Sequence, residues 1–171
     1  MNVPQARPPS LPRVIVVFAQ SGRLSRGEQG DIVSESDVCE TAEGVAKALA
    51  RKGFPVACLS VCDDVFGLIT QLADSRPDVV FNLAETVLGD SSLEYFVPNL
   101  LDFLGIPYTG CDPAAINLCL DKARTKDVLS ACGIPTPAYR VVEETQSVPL
   151  DLDFPLIVKP LREDGSLGIH E

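Results

Sequence analysis

The chain has 171 residues, of which 46% are hydrophobic, and its 24 acidic and 14 basic side chains give a formal net charge of −10. This length holds one ordinary domain, or one domain and a piece of another, with enough apolar material for a core. The acidic balance argues against a broad nucleic-acid-binding face, because phosphate neutralisation needs clustered Lys and Arg. The apolar runs are too short to cross a bilayer, so no membrane partner is expected.

Residues 1–12 contain four prolines and no apolar signal segment, and we predict a flexible leader there. The chain has six cysteines, one histidine and no CxxC motif. The cysteines mostly lie inside apolar helical or strand patterns. They are therefore predicted to be small buried hydrophobic residues in a reducing cytoplasm, not disulfides or zinc ligands. They are Cys39, Cys58, Cys62, Cys111, Cys119 and Cys132.

Residues 13–111 are predicted to alternate strands and helices. The run RVIVVFA at 13–19 is typical of a strand buried on both faces. Ser91 and Glu94 have the spacing of a capping box, and Pro98 should bend the helix that follows or break a hydrogen bond there. The alternation indicates a parallel sheet with helices on both faces. The predicted strands are 13–19, 55–61, 78–83 and 106–109, and the predicted helices are 37–52, 65–73 and 91–104.

A second unit is predicted to begin near Asp112. Asp121 can cap a helix that runs to about Cys132, and strands follow at 138–142 and 154–161. One helix and two strands are too little to bury a core alone. We therefore expect that the chain is cut inside a larger protein, or that a partner completes it.

Several common site motifs are absent. The sequence AQSGRLSRGEQG after the first predicted strand lacks the GxGxxG spacing of a dinucleotide site, and there is no GxxxxGK[ST]. His170 is the only histidine, so a Ser-His-Asp or Cys-His site is not expected.

Lys159 follows an apolar run and precedes the sequence Gly165-Ser166-Leu167-Gly168. A lysine held at the end of a strand, with flexible backbone N–H groups and a hydroxyl nearby, can bind an anion such as phosphate. The alternative is a surface lysine before a hairpin turn. These residues alone leave both interpretations open.

Other charged residues carry similar alternatives. Lys122 lies in the first turn of its predicted helix, where the dipole disfavours a cation, so it faces either an anion or solvent. Lys126, one turn later, is predicted to face solvent or join a salt bridge. Glu35, just ahead of the first predicted helix, is explained either by capping or the helix dipole, or as a carboxylate at the sheet edge where ligands bind. Glu85 and Asp90, after the third predicted strand, have the same two interpretations.

Three stretches together resemble the amino-terminal part of D-alanine–D-alanine ligases, in the ATP-grasp superfamily. They are SESDVCETAEGVAKAL at 34–49, LLDFLGIPYTGCDPAAINLCLDKARTKDVLSACGIPTPAY at 100–139 and FPLIVKPLREDGSLGI at 154–169. The middle stretch is the most specific. The resemblance extends over nearly the whole chain from Arg13 onward.

The resemblance implies an α/β fold. Residues 13–111 would form a parallel-sheet, Rossmann-like preATP-grasp domain, and residues 112–171 would start the ATP-grasp nucleotide-binding lobe. Family members use ATP, usually with Mg²⁺, to phosphorylate a carboxylate, and an amine then attacks the acyl phosphate to give an amide. The implied partners are small amino-acid or dipeptide substrates, and a homodimer is compatible with the family.

The resemblance also implies roles for individual residues. Lys122 and Lys159 would contact the ATP phosphates. Ser166, with Gly165 and Gly168, would lie in the loop that covers the triphosphate. Glu35 would orient the first substrate, so that Glu35 and Ser166 are the candidate catalytic residues.

The sequence departs from the family pattern in three places, and the first two leave the substrate open. The sequence NLAETVLGDSS replaces a His-Gly after the third predicted strand, with Glu85 beside its place. Gly165 replaces the first of a serine pair. Third, the family's magnesium ligands would lie beyond residue 171, so this chain alone is not expected to catalyse. The alternative function is a non-catalytic Rossmann-like module that binds a small ligand or has a regulatory role.

Overall fold

The computed structural model describes residues 11–20, 32–61, 64–142 and 151–163, with the backbone only for 32–37. In this part of the chain, strands and helices alternate up to residue 104, and helices follow. The strands are β1 (Val14–Ala19), β2 (Val56–Val61) and β3 (Val79–Leu83). The helices are α1 (Ile32–Arg51), α2 (Val65–Ser75), α3 (Phe96–Leu104), α4 (Pro113–Leu120) and α5 (Lys122–Ala131), with a 3-10 helix at Ser91–Leu93.

The three strands form a parallel sheet in the order β2-β1-β3. At the middle of β1, Val16 pairs with Cys58 of β2 and with Phe81 of β3. Val16 and Val17 point to opposite faces of the sheet and are both fully buried. The prediction of a parallel α/β fold with β1 buried on both faces is confirmed.

Each face of the sheet is covered by helices. On one face, Ile15 and Val17 of β1 join a core with buried residues of α2 and α3. On the other side, α1 packs against β1 and β2, and its Ala42 is fully buried. The helical residues of the first core are Leu68, Leu72, Val97, Leu100 and Leu101.

The predicted helix over 91–104 is two elements, and its predicted kink is wrong. Asp90, not Ser91, caps the 3-10 helix, because its carboxylate accepts the backbone N–H of Ser92 at 2.9 Å. The helix α3 begins only at Phe96, so Pro98 lies in its first turn. Backbone N–H groups of a first turn have no intrahelical acceptor, so proline at this position breaks no hydrogen bond and gives no cause for a bend.

The helices after residue 111 include one that the sequence prediction omitted. Pro113 opens α4, and Asp112 caps it by accepting the N–H of Ala115 at 2.8 Å. This is a standard helix start, with an aspartate cap followed by proline at the first position. The predicted cap at Asp121 is confirmed, since its carboxylate accepts N–H groups at the start of α5.

Three predicted strands are wrong. Residues 106–109 form only one parallel bridge, between Val80 and Tyr108, because Pro107 has no N–H to extend the ladder. Residues 138–142 and 154–161 belong to no strand. A strand needs a partner for its N–H and C=O groups, and the described residues supply none there. The apolar side chains of Phe154 and Val158 are consequently 81% and 89% exposed.

The cysteines are less buried than predicted. Cys58, Cys111, Cys119 and Cys132 are exposed and Cys39 is partly buried, and these five thiols are free. Cys58 is exposed because β2 is an edge strand of the described sheet. Cys62 lies outside the described residues. None of the helices in the described ranges is long and apolar enough to cross a membrane.

Two residues of α3 test the core that covers the sheet. Leu101 is fully buried, whereas Phe103 on the same helix is 85% exposed. Leu101→Ala should lower the free energy of unfolding by about 2–5 kcal/mol, because it removes buried contacts and leaves a cavity. Phe103→Ala should change it by less than about 0.5 kcal/mol. Urea unfolding measures both, and equal losses would contradict the assigned core.

Candidate functional site

The carboxyl edge of the sheet carries two of the predicted acidic residues. Glu85 comes directly after the end of β3 and is exposed. Asp90 acts as the cap of the 3-10 helix described above. Glu85 is therefore available at the edge of the sheet, whereas Asp90 has a structural role.

Glu35 lies inside α1 and not ahead of it. The helix begins at Ile32, so Glu35 is its fourth residue. The expectation that it precedes the helix, and could be its cap, is therefore wrong. The side chain of Glu35 lies outside the described residues.

Lys122 is the first residue of α5, as predicted, and it contacts the segment 161–163. Its ammonium donates a hydrogen bond to the backbone carbonyl of Glu163. Its backbone N–H, which has no acceptor within the helix, donates to the carbonyl of Leu161 at 3.1 Å. The start of α5 and the segment after Lys159 are thus joined, although they are far apart in sequence.

Asp121 is a buried carboxylate, with only 6% of the residue exposed. One oxygen accepts the backbone N–H groups of Ala123 and Arg124, each at 3.1 Å. The other accepts Nε–H of Arg162 at 3.1 Å and lies 3.7 Å from Nε of Arg124. Burying a charge is costly unless it is paired and hydrogen-bonded, and both oxygens of Asp121 meet that requirement.

These contacts lower the pKa of the Asp121 carboxyl below its usual value. The backbone N–H of Arg124 makes the largest contribution, and Arg162 adds a hydrogen bond and an opposite charge. Burial acts in the opposite direction and raises the pKa. Hydrogen bonding and charge outweigh burial, so Asp121 is a stable anion beside Lys122.

The segment 161–163 also reaches the 3-10 helix. The hydroxyl of Ser91 donates to a carboxylate oxygen of Glu163 at 2.7 Å. A cavity of about 260 Å³ opens beside these contacts. Its walls are Ser92, Asn117, Leu120, Asp121, Arg124 and Arg162.

Lys159 itself is exposed, just before this fastened segment. Within the described ranges, no hydrogen bond or ion pair engages its ammonium. Gly165, Ser166 and Gly168 lie outside the described residues. Of the predicted phosphate-binding residues, the structure therefore describes Lys122 and Lys159, which belong to two chain segments that touch each other.

Lys126 has a different role from the one predicted. Its ammonium donates to the hydroxyl of Thr136 at 2.9 Å and to the carbonyl of Pro137 at 2.7 Å. It also lies 5.6 Å from the ring centre of Tyr139. The prediction of a solvent-facing or salt-bridged lysine is wrong, since Lys126 holds the segment after α5 against the helix.

Sequence reasoning found Asp121 only as a helix cap and did not identify Arg162. Capping is a local signal, visible in the residues from Asp121 onward. The pair with Arg162 joins residues 41 positions apart, and no periodicity or motif indicates it. The sequence feature that could have drawn attention to Arg162 is its position as a charged residue soon after the Lys159-Pro160 dipeptide.

The lowered pKa of Asp121 predicts a pH-dependent contribution to stability. In the unfolded chain the carboxyl of Asp121 has a pKa of about 3.9, so it takes up its proton first as the pH falls. The stabilisation is therefore complete above that value and is lost as the pH falls through the lower pKa of the folded state. Asp121→Asn, which keeps a capping side chain, should lower the free energy of unfolding by about 1 kcal/mol at neutral pH.

Urea unfolding at about pH 6 and about pH 3 checks this expectation, because the difference between wild type and Asp121→Asn should shrink at the lower pH. Asp112→Asn is a matched control, since Asp112 also caps a helix but its side chain is exposed. A difference that stays constant between the two pH values would contradict the role assigned to the Asp121 charge.

No family model matches the chain. Curated relatives nevertheless align with most of it. A D-alanine–D-alanine ligase of Pseudomonas entomophila is 37% identical over 134 residues, 76% of this chain and 40% of the relative. One of Paramagnetospirillum magneticum is 34% identical over 142 residues, 82% of this chain and 46% of the relative. An uncharacterised protein of Sinorhizobium fredii is 34% identical over 75% of this chain and 40% of its own length.

A solved structure has a similar fold. The D-alanine–D-alanine ligase of Bacillus anthracis, in complex with ATP, matches 88% of this chain and 48% of its own, with a TM-score of 0.56 and 21% identity. The chain spans less than half the length of the proteins it matches. The sequence relationship and the shared fold together identify the chain as a relative of the D-alanine–D-alanine ligases.

Proposed function

We propose that the chain is part of an ATP-dependent carboxylate–amine ligase of the D-alanine–D-alanine ligase type, in the ATP-grasp superfamily. The observation that carries this proposal is the identity of 34–37% to such ligases over about three quarters of the chain. We also propose that residues 13–111 form its preATP-grasp unit and that residues 112–171 begin its nucleotide-binding unit. The five free thiols are compatible with a reducing cytoplasm.

In the proposed reaction, the γ-phosphoryl group of ATP passes to the carboxylate of a first amino acid, giving an acyl phosphate and ADP. The amine of a second amino acid or dipeptide attacks the acyl carbon, the amide bond forms, and inorganic phosphate leaves. Catalysis of phosphoryl transfer depends mainly on positioned cations. We propose that Lys122 and Lys159 supply them.

The contact between Lys122 and the segment 161–163 supports that assignment, because it brings the chain that follows Lys159 to the start of α5. We further propose that Gly165, Ser166 and Gly168 cover the triphosphate and that Glu35 orients the first substrate. Glu35 and Ser166 would then be the catalytic residues.

The residues described here do not form a complete metal site. Within the described ranges, no group of three or more His, Cys, Asp or Glu side chains is placed to hold a metal ion. The resemblance would place the Mg²⁺ ligands beyond residue 171.

The substrates are proposed only as amino acids or a dipeptide. Two departures from the family pattern leave open whether D-alanine is a substrate. They are the sequence NLAETVLGDSS, in which Glu85 is exposed at the sheet edge, and the replacement at Gly165. These departures are also the observations that favour a non-catalytic ligand-binding module. Release of phosphate from ATP by the complete translation product, tested across amino-acid and dipeptide pairs, separates the two functions.

Lys159→Ala tests the proposed phosphate contact. In the complete translation product, it should weaken ATP binding about 10- to 100-fold, because a charge-assisted hydrogen bond contributes about 1.5–3 kcal/mol. Isothermal titration calorimetry measures the affinity. Lys52→Ala is the control, since Lys52 is an exposed lysine after α1, away from α5. Equal ATP affinities of the Lys159→Ala and Lys52→Ala proteins would refute the contact.

Glu35→Gln tests the proposed substrate role. The exchange removes a charge and keeps the shape, so ATP affinity should stay within about twofold while amide formation falls at least about tenfold. Calorimetry and phosphate release measure the two effects. If the variant only lowers the melting temperature, Glu35 is a structural residue of α1.

A further inference from the structure

We propose that Arg162 is a positioning residue whose ion pair with Asp121 holds the segment that carries Lys159 against the start of the helix that carries Lys122. This inference rests on the proposed function, because it concerns how two phosphate-binding lysines come to act on one nucleotide. Arg162 itself touches neither the nucleotide nor the substrate in this proposal. Its role is exerted through Lys122 and Lys159.

Four contacts fasten residues 161–163, and we call them together the clasp. The carbonyls of Leu161 and Glu163 accept the backbone N–H and the ammonium of Lys122. The guanidinium of Arg162 pairs with Asp121, and the carboxylate of Glu163 accepts the hydroxyl of Ser91. The clasp therefore connects one short segment to both the start of α5 and the 3-10 helix.

Arg162 is the residue in the clasp whose side chain pairs with a buried charge. Asp121 is almost fully buried, so its carboxylate needs hydrogen bonds and an opposite charge. Arg124 also approaches this carboxylate, but it belongs to α5 and cannot tie another segment to that helix. Arg162 can do so, because it lies 41 residues away in sequence.

The clasp also fixes where the ammonium of Lys122 lies. A lysine ammonium has three donors, and the carbonyl of Glu163 takes one of them. The others remain to bind phosphate oxygens from a defined position. A displacement of about 1 Å in such a group costs up to about 100-fold in rate, so the carbonyl that orients it matters for function.

Positioning can be separated from folding at this residue. The side chain of Arg162 is 57% exposed but that of Asp121 is only 8% exposed, so losing this ion pair costs some stability. Arg162→Gln should lower the melting temperature without unfolding the protein, because the carboxylate of Asp121 keeps the backbone N–H groups of Ala123 and Arg124. The segment 161–163 should nevertheless detach from α5 more often.

The first experiment measures amide hydrogen exchange at Lys122 by NMR. Its backbone N–H is the first of the helix and depends on the carbonyl of Leu161, so it reports directly on the attachment of the segment. Arg162→Gln should speed this exchange about tenfold. Arg124→Gln is the matched control, with the same change of charge beside the same carboxylate, and it should have an effect below about twofold.

The second experiment measures ATP affinity by calorimetry in the complete translation product. Arg162→Gln should weaken binding about tenfold and Arg124→Gln less than about twofold, because only the former releases the clasp. Arg162→Lys should restore most of the affinity, since the contact is a single N–H to one oxygen and lysine can supply it.

The outcomes separate this inference from the proposed function. Unchanged exchange at Lys122 in Arg162→Gln would overturn the clasp. Faster exchange with unchanged ATP affinity would overturn the positioning role while the proposed function stands. If the wild-type protein binds no ATP, the proposed function and the positioning role both fail, and the exchange measurement still decides whether Arg162 fastens the segment.

Discussion

The buried carboxylate of Asp121 is the constraint on which the candidate site depends. Asp121 ends α4 and begins α5, and its charge lies almost out of contact with water. Such a charge is tolerable only with strong partners, and the chain supplies the first N–H groups of α5 and the guanidinium of Arg162. The need to neutralise this one group therefore sets the helix boundary and brings in a segment from a distant part of the chain.

The sheet places the other part of the site. Because β1 is buried on both faces between β2 and β3, its direction is fixed, and parallel strands bring their carboxyl ends to one edge. Glu85 is exposed at that edge, and the 3-10 helix that follows carries Ser91, which contacts Glu163. The same contact therefore connects the sheet edge to the segment after Lys159.

The sequence predicted correctly the structural elements that depend on a few neighbouring residues. The strand β1 and the aspartate cap of α5 can each be predicted from a short stretch of sequence, and the structure confirms both. The strand predicted at 154–161 is wrong for the opposite reason, since a strand depends on a partner elsewhere in the chain. The pair of Asp121 with Arg162 is equally non-local, so the sequence predicted the two lysines but not the contact that joins their segments.

The segment before the clasp is exposed, so the position of Lys159 depends mainly on hydrogen bonds and charged contacts. Residues 154–158 are apolar, yet Ile157 and Val158 are 75% and 89% exposed and contribute little burial that could anchor Lys159. Within the described part of the chain, the segment 151–163 is attached by polar contacts, which are the ion pair of Asp151 with Arg140 and the clasp that begins at Leu161. Polar contacts lose strength steeply as their geometry changes, whereas apolar contacts tolerate sliding. A segment held in this way has one defined register against α5, which is the property that the proposed pair of phosphate-binding lysines requires.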